Sequence, residues 1–385
     1  MARAFPTYDG GYTGVKICFL CVEIFAWGKF GGFGRSTRVI GRELVKRGIE
    51  VTAIVPQRAG QGPVEMLDGI RVLGFPAHRP FAMTRLIREV DADIYHSQHP
   101  SFATWLAQRT MPDRRHVVTF RDPKELEDWW LELTNPSLSK AQVLLNWLYE
   151  DSPLVRSAIR RADGLYSAAP SVNEKLRRKY GFSSDPGLLA TAVELNRTVV
   201  KAAVPTVCFI GRLDRRKRPQ LFFELARQFP NVRFLAAGKS NDPEWEAELR
   251  AGYGDVPNLE MLGFVDQFQS ARLYSILSQS WILVNTSVRE GLPTSFLEAL
   301  ANRCALLSSV DPGGVTRQFG YSVRDDDFAT GLATLLQNDA WREKGNAGWE
   351  YVRESFEIES VIDKHLRVYH ELMSQSATQA SKATA

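Results

Sequence analysis

The chain has 385 residues, 44% hydrophobic and 24% charged, a globular composition that excludes collagen-like, coiled-coil and mostly disordered classes and allows two domains or one large α/β unit. Its 48 basic and 44 acidic residues leave a net charge of +4, too even for a polybasic nucleic-acid binder, so no nucleic-acid partner is expected. Four cysteines are too few for a disulfide scaffold, the opening MARAFPTYDGGYTG lacks a signal-peptide pattern, and no apolar run approaches about 18 residues; a reduced, cytosolic protein is expected, with peripheral contact at the inner face of a membrane allowed.

Short apolar segments alternate with helical periodicity, which predicts βαβ units and parallel sheets. In the first half, strands are expected over residues 16–22, 50–56, 70–74, 94–96, 116–120 and 164–168. Cys18 and Cys21 spell C-x-x-C inside the first of them. Positions three apart on a strand face opposite ways, so this pair reads as core and not as a metal or redox site. After that strand, WGKFGGFGRST places Gly28, Gly31, Gly32 and Gly34 before a helix expected over 34–47. Glycines there admit a ligand close to the backbone, and the helix N-terminus offers N–H groups to an anion. A dinucleotide fingerprint would need Gly or Ala where Thr37 stands, and the strand ending at Val55 carries no acidic residue for a ribose, so a nicotinamide cofactor is not expected.

The strand at 94–96 leads into DIYHSQHP, which puts His96, Gln98 and His99 at its carboxyl end. The next strand ends in TFRDPKELEDWW and adds Arg121, Asp122 and Lys124 as candidates on the acceptor side, with Trp129 and Trp130 expected to pack. No His, Cys and Asp set has the spacing of a metal site. The basic stretches at 160–164 and 175–181 read as solvated helix faces.

Periodicity fails around residues 186–205 and then resumes, with strands expected over 206–211, 232–238, 259–263, 281–285 and 305–309. A domain boundary is expected there. Gly211, Arg212 and Lys217 follow the first of these strands, where doubly wound sheets bind ligands; taken alone they read equally as two cations for a diphosphate or as a solvated basic turn. Gly238-Lys239-Ser240 is not a P-loop, because Arg233 holds the place of its leading glycine. In REGLPTSFLEALANR, Glu290 precedes a helix and Glu298 lies within it. Backbone amides of Leu292, Thr294 and Ser295 can hold a phosphate while the two carboxylates accept sugar hydroxyls. Residues 358–373 read as an amphipathic helix, and 374–385, with nothing large to bury, as a disordered tail.

In combination, the glycine-rich loop, the His-containing loop, G-R-L-x(4)-K at 211–217, LGFVD at 262–266 and E-G-L-P-x(3)-L-E at 290–298 resemble the GT-B glycosyltransferases of the large retaining family 4. The resemblance implies two Rossmann-like doubly wound domains with a cleft between them: residues 1–190 for the acceptor, 191–357 for the nucleotide-sugar donor, and a C-terminal helix at 358–373 returning to the first domain. It implies Arg212 and Lys217 on the donor diphosphate, Glu290 on the donor sugar, Glu298 on the ribose, and Gly31 to Gly34 beside the diphosphate and the acceptor. His96, Gln98 and His99 remain alternatives for the residue facing the sugar. The usual Pro-Asn-Pro linker signature is replaced by LLATAVELN at 188–196, and the later glycine-rich loop by DPGGV at 311–315.

The implied activity is retaining transfer of a hexose-like sugar from a nucleoside diphosphate sugar, without metal or other cofactor, to a glycan, glycolipid or small-molecule acceptor in polysaccharide or glycolipid biosynthesis. A sugar-nucleotide epimerase on the same fold and a catalytically silent nucleotide-sugar-binding protein are the alternatives.

Overall fold

A computed structural model describes residues 14–134, 136 and 139–384. The opening residues read above for a leader, and the last residue of the expected tail, lie outside the described residues. The chain folds into two compact units. The first comprises the chain through Arg121, Asn146–Ser167 and the segment from Ile362; the second comprises Asp122–Leu145 and Ala168–Val361. The single break expected near residue 190 is thus replaced by several crossings, and residues 122–145 belong with the second unit.

The strands of the first unit are β1 (Lys16–Leu20), β2 (Glu50–Pro56), β3 (Val64–Leu67), β4 (Ile70–Phe75), β5 (Ile94–Ser97), β6 (Arg115–Phe120) and β7 (Gly164–Ser167). They run in the order β3-β4-β2-β1-β5-β6-β7. All neighbours pair in parallel except β3 with β4. β1 is apolar and buried after its first residue, as a strand covered on both faces must be. The hairpin strand β3 escaped the sequence reading because its residues are half exposed and alternate weakly. Its signal was the turn Asp68-Gly69, where both residues take positive φ, as a two-residue hairpin requires.

In the second unit, after the two-residue strand β8 (Gly187–Leu188), come β9 (Thr206–Ile210), β10 (Arg233–Ala237), β11 (Leu259–Gly263), β12 (Ile282–Asn285), β13 (Ala305–Ser308) and β14 (Gly320–Ser322). The order is β11-β10-β9-β12-β13-β14, parallel throughout. Its core is aromatic: Phe222 meets Phe209 and Phe234 at ring distances of 5.7 and 5.2 Å, and Trp281 stacks on Trp341 at 4.6 Å. β14 is three residues long and begins with glycine, too little for a period to register.

Each order reverses once, at β1/β5 in the first unit and at β9/β12 in the second. At such a switch point the connecting helices leave toward opposite faces, so the strand ends open a crevice. The glycine-rich and His-containing loops follow β1 and β5; Arg212 and Glu290 follow β9 and β12.

The last helix runs Ile358–Thr384, through most of the stretch expected as a tail. That expectation rested on the lack of large residues, which argues only against burial. Residues 374–384 hold no Gly or Pro to stop a helix already under way. No helix among the described residues is long and apolar enough to cross a membrane.

Candidate active site

At the end of β9 the chain passes through Gly211 beside the exit of β10, and the Gly211 N–H donates to the Ala237 carbonyl at 3.1 Å. Close approach explains Gly238: it adopts φ +158°, and a Cβ there would lie 1.8 Å from the Gly211 carbonyl oxygen. The chain then makes a 3-10 turn at Arg215–Lys217, capped by Asp214, whose Oδ1 accepts from the Lys217 N–H at 3.1 Å. Helix Pro219–Gln228 follows, with proline at its first position where the missing N–H costs nothing. This path delivers two cations to the strand end. Arg212 reaches Asp214 at 3.2 Å and is partly exposed; Lys217 donates to Glu290 Oε1.

Glu290 arrives from the neighbouring strand. After β12, Asn285 turns the chain by accepting from the Ser287 N–H at 3.0 Å, and the Ser287 hydroxyl donates to Glu290 Oε1 at 2.8 Å. The Thr286 hydroxyl is bonded to the Lys217 and Arg218 carbonyls, and the Val288 N–H donates to the Arg216 carbonyl at 3.1 Å. The two loops therefore share one hydrogen-bonded frame. Pro293 precedes helix Thr294–Ala301, so Thr294 and Ser295 stand in its first turn, Leu292 in the loop before it, and Glu298 one turn further along. All four are half-buried. Nearby, the second glycine-rich loop is turned by Gly313 and Gly314 at φ +60° and +81° and held by Asp311 Oδ1, which accepts from the Thr316 N–H at 2.8 Å.

Sequence reasoning missed the ion network next to Glu290. Arg289 forks onto Asp122, Nη1 to Oδ2 at 2.9 Å and Nη2 to Oδ1 at 2.8 Å, while its Nε donates to Asp128 Oδ1 at 2.5 Å. Lys175 takes the other Asp128 oxygen at 2.6 Å. Glu132 lies 3.5 Å from both Lys124 and Arg216. Burial alone would push both aspartates upward, but Arg289 outweighs it, holding the Asp122 carboxyl below its usual range and Asp128 at about 2. Asp122 and Lys124 were expected on the acceptor side of the first domain. They lie in the second unit instead, paired with Arg289 and Glu132, and Lys124 sits 4.1 Å over the Trp129 ring. Trp129 is fully buried and Trp130 is 69% exposed.

In the first unit the predicted residues divide differently. His96 is sealed: it is 0% exposed, shares one 2.7 Å hydrogen bond with the Tyr369 hydroxyl through Nδ1, and another with Thr119 through Nε2. Burial, aided by His365 and Arg121, holds its pKa well below the usual histidine value. Both ring nitrogens are thus engaged within the core. Gln98 and His99 both attend Arg121, Gln98 through Oε1 and His99 through Nδ1, which accepts the Arg121 backbone N–H at 3.5 Å. Arg121 also donates to Ser36 at 2.8 Å. The buried Gln98 Nε2 has no hydrogen-bond partner.

The glycine-rich loop holds a carboxylate. Glu23 Oε1 accepts from the Gly34 N–H at 2.9 Å, and a Cβ on Gly31 would lie 2.1 Å from that oxygen. A second Cβ, on Gly34, would strike the Phe25 backbone nitrogen at 2.8 Å. Gly32 begins the helix Gly32–Lys46. The anion expected at this helix N-terminus is thus, in the structure, the protein's own Glu23, whose signal was an acidic residue just past an apolar strand. Cys18 is buried in β1, and burial pushes the Cys21 thiol up to about 12, the behaviour of core thiols. No group of three or more His, Cys, Asp and Glu side chains among the described residues is placed to hold a metal ion.

Two doubly wound parallel sheets, the second with cations and carboxylates at its switch point, define a two-domain α/β architecture. Two family models tile it: Glycosyltransferase Family 4 matches residues 30–197, and Glycosyl transferases group 1 matches residues 195–344. The chain belongs to the GT-B glycosyltransferases of family 4. Among solved structures it is similar to sucrose-phosphate synthase from Thermosynechococcus elongatus, at 19% identity and a TM-score of 0.70 over 94% of this chain and 100% of that one. It is also similar to Anabaena HepE in complex with UDP, at 13% identity and a TM-score of 0.68 over 93% and 100%. A curated relative is one of the subunits of phosphatidylinositol N-acetylglucosaminyltransferase from Arabidopsis thaliana, 34% identical over 115 residues, 29% of this chain. The match spans only 25% of that protein's length.

Proposed function

We propose that this glycosyltransferase moves a hexose-like sugar from a nucleoside diphosphate sugar to a hydroxyl acceptor with retention of anomeric configuration. One observation carries the reading. At the β9/β12 switch point Lys217 is held by Glu290, and Arg212 by Asp214, so each cation has a carboxylate partner that a diphosphate can displace. UDP in the HepE structure makes a uridine donor the first to try. With diphosphate on Arg212 and Lys217, Glu290 is released toward the donor sugar, and we assign Glu298 to the ribose. The two cations neutralise charge that grows on the leaving diphosphate, a stabilisation that is largest in the transition state. Retention follows if the acceptor attacks on the face the diphosphate leaves, with a phosphate oxygen taking the acceptor's proton. The bond to the acceptor oxygen then forms as the bond between the anomeric carbon and the diphosphate oxygen breaks, and the nucleoside diphosphate leaves.

Gln98, His99 and Arg121 in the first unit are the groups we assign to the acceptor side, with Gly31, Gly32 and Gly34. The reading invokes no metal, and the test is therefore run in EDTA. The test is proton NMR of the products formed from UDP-glucose or UDP-N-acetylglucosamine and a panel of glycan, glycolipid and small-molecule acceptors, in EDTA. An α-linked product from an α-donor supports the reading. A β-linked product overturns retention, and conversion of the donor sugar without acceptor makes the protein an epimerase.

A further inference from the structure

Glu290 is gripped on both sides by one carboxylate. Its preceding residue, Arg289, forks onto Asp122. Its following residue, Gly291, packs so close to Asp122 that a Cβ would stand 3.1 Å from Asp122 Oδ1. Gly291 has no positive φ, so glycine is explained there by this approach and not by backbone conformation. We infer that Arg289 is a positioning residue for transfer: clamped to Asp122 and Asp128, it fixes the backbone of Glu290 so that the carboxylate can leave Lys217 for the sugar when the diphosphate arrives. The inference rests on the function proposed above.

The physical need arises from competition for one ammonium group. Lys217 is bound by Glu290 in the structure and by diphosphate in the reaction, and two anions drawn to one cation repel each other. On a loose loop, Glu290 would be driven away with its backbone. A clamp one residue distant leaves the side chain free to swing and the main chain fixed. Arginine suits the task because three of its donors engage two carboxylates in fixed directions, which lysine, a point charge, cannot match. Arg289 is 9% exposed and Asp122 and Asp128 are each 15% exposed, so solvent competes little for these bonds. Deleting the charge would strand buried carboxylates, and the tests therefore use R289K and D122N.

Amide hydrogen exchange and steady-state kinetics on the full chain together test the inference. In R289K, exchange at residues 286–292 should quicken while the rest of the second unit keeps its rate. kcat should fall at least about tenfold, with the Kd for UDP within about threefold of wild type, because Arg212 and Lys217 are untouched. D122N should do the same, and the double variant should be no worse than the more affected single one, as for residues acting as a unit. Unchanged kcat in R289K overturns the inference alone. A Kd for UDP that rises in step with the loss of kcat overturns it too, since that is general damage to the site. Quickened exchange in a protein whose wild type transfers no sugar overturns the proposed function and, with it, the positioning role.

Discussion

The carboxyl ends of the two sheets carry polar clusters of opposite character. In the first unit the histidine after β5 is fully buried and bonded through both ring nitrogens, and the glycine-rich loop closes on Glu23. In the second, Lys217 and Arg212 are partly exposed and pair with Glu290 and Asp214. A satisfied buried hydrogen bond is costly to break, because each partner left behind loses its solvation. An ion pair between one cation and one carboxylate is exchanged more readily, because an incoming diphosphate replaces the contact the cation gives up. The difference separates polar groups that build the rim from polar groups that a ligand can recruit.

The largest effect that would break this contrast belongs to Glu290. E290Q is expected to lower transfer by about 100-fold or more, the scale of losing a group aimed at the reacting centre, while UDP binds as tightly as in wild type or more so, because its competitor for Lys217 has lost its charge. Parallel loss of UDP binding would make Glu290 a structural residue. Next comes Lys217: K217A should weaken UDP binding or turnover by at least about tenfold, and unchanged kinetics would remove Lys217 from the diphosphate site. His96 should behave in the opposite way. H96A should lower stability by about 1–3 kcal/mol, the cost of orphaning buried partners, and leave kcat of the folded fraction within about threefold; a larger fall in kcat would return His96 to the site.

The smallest effect is on pH dependence. Burial lowers the pKa of His96 and His116 below the ordinary histidine value of 6.5, so the unfolded chain binds more protons below about pH 6.5 and stability must fall as pH drops through that range. The depressed Asp122 and Asp128 act only below about 3.8, their usual value. A melting temperature that declines from pH 7 to 5, with a shallower decline in H96A, sharpens the comparison; a flat profile contradicts it.

The βα alternation was legible because buried parallel strands are continuous apolar runs: the expected strands at 50–56 and 259–263 match β2 and β11. The division of the chain was not, because it depends on which partners residues 122–145 find, and local periodicity carries no such information. In the same way the pattern E-G-L-P-x(3)-L-E drew attention to Glu290 but not to Arg289 beside it, whose meaning comes from Asp122 and Asp128, more than 160 positions away. His96 was a candidate by its strand-end position, but its partner Tyr369 lies 273 positions along the chain. Glu23 could have been found, since an ionisable residue at an apolar strand's end before glycines is exceptional. Long-range pairing decides which polar residues are spent on the fold.

The most direct test of the account is calorimetric titration of UDP into the wild-type protein and K217A at pH 7.5 in EDTA. The account predicts one site in the wild type and at least about tenfold weaker binding in K217A. Equal affinity in the two proteins, or no binding to the wild type at millimolar UDP, would contradict it.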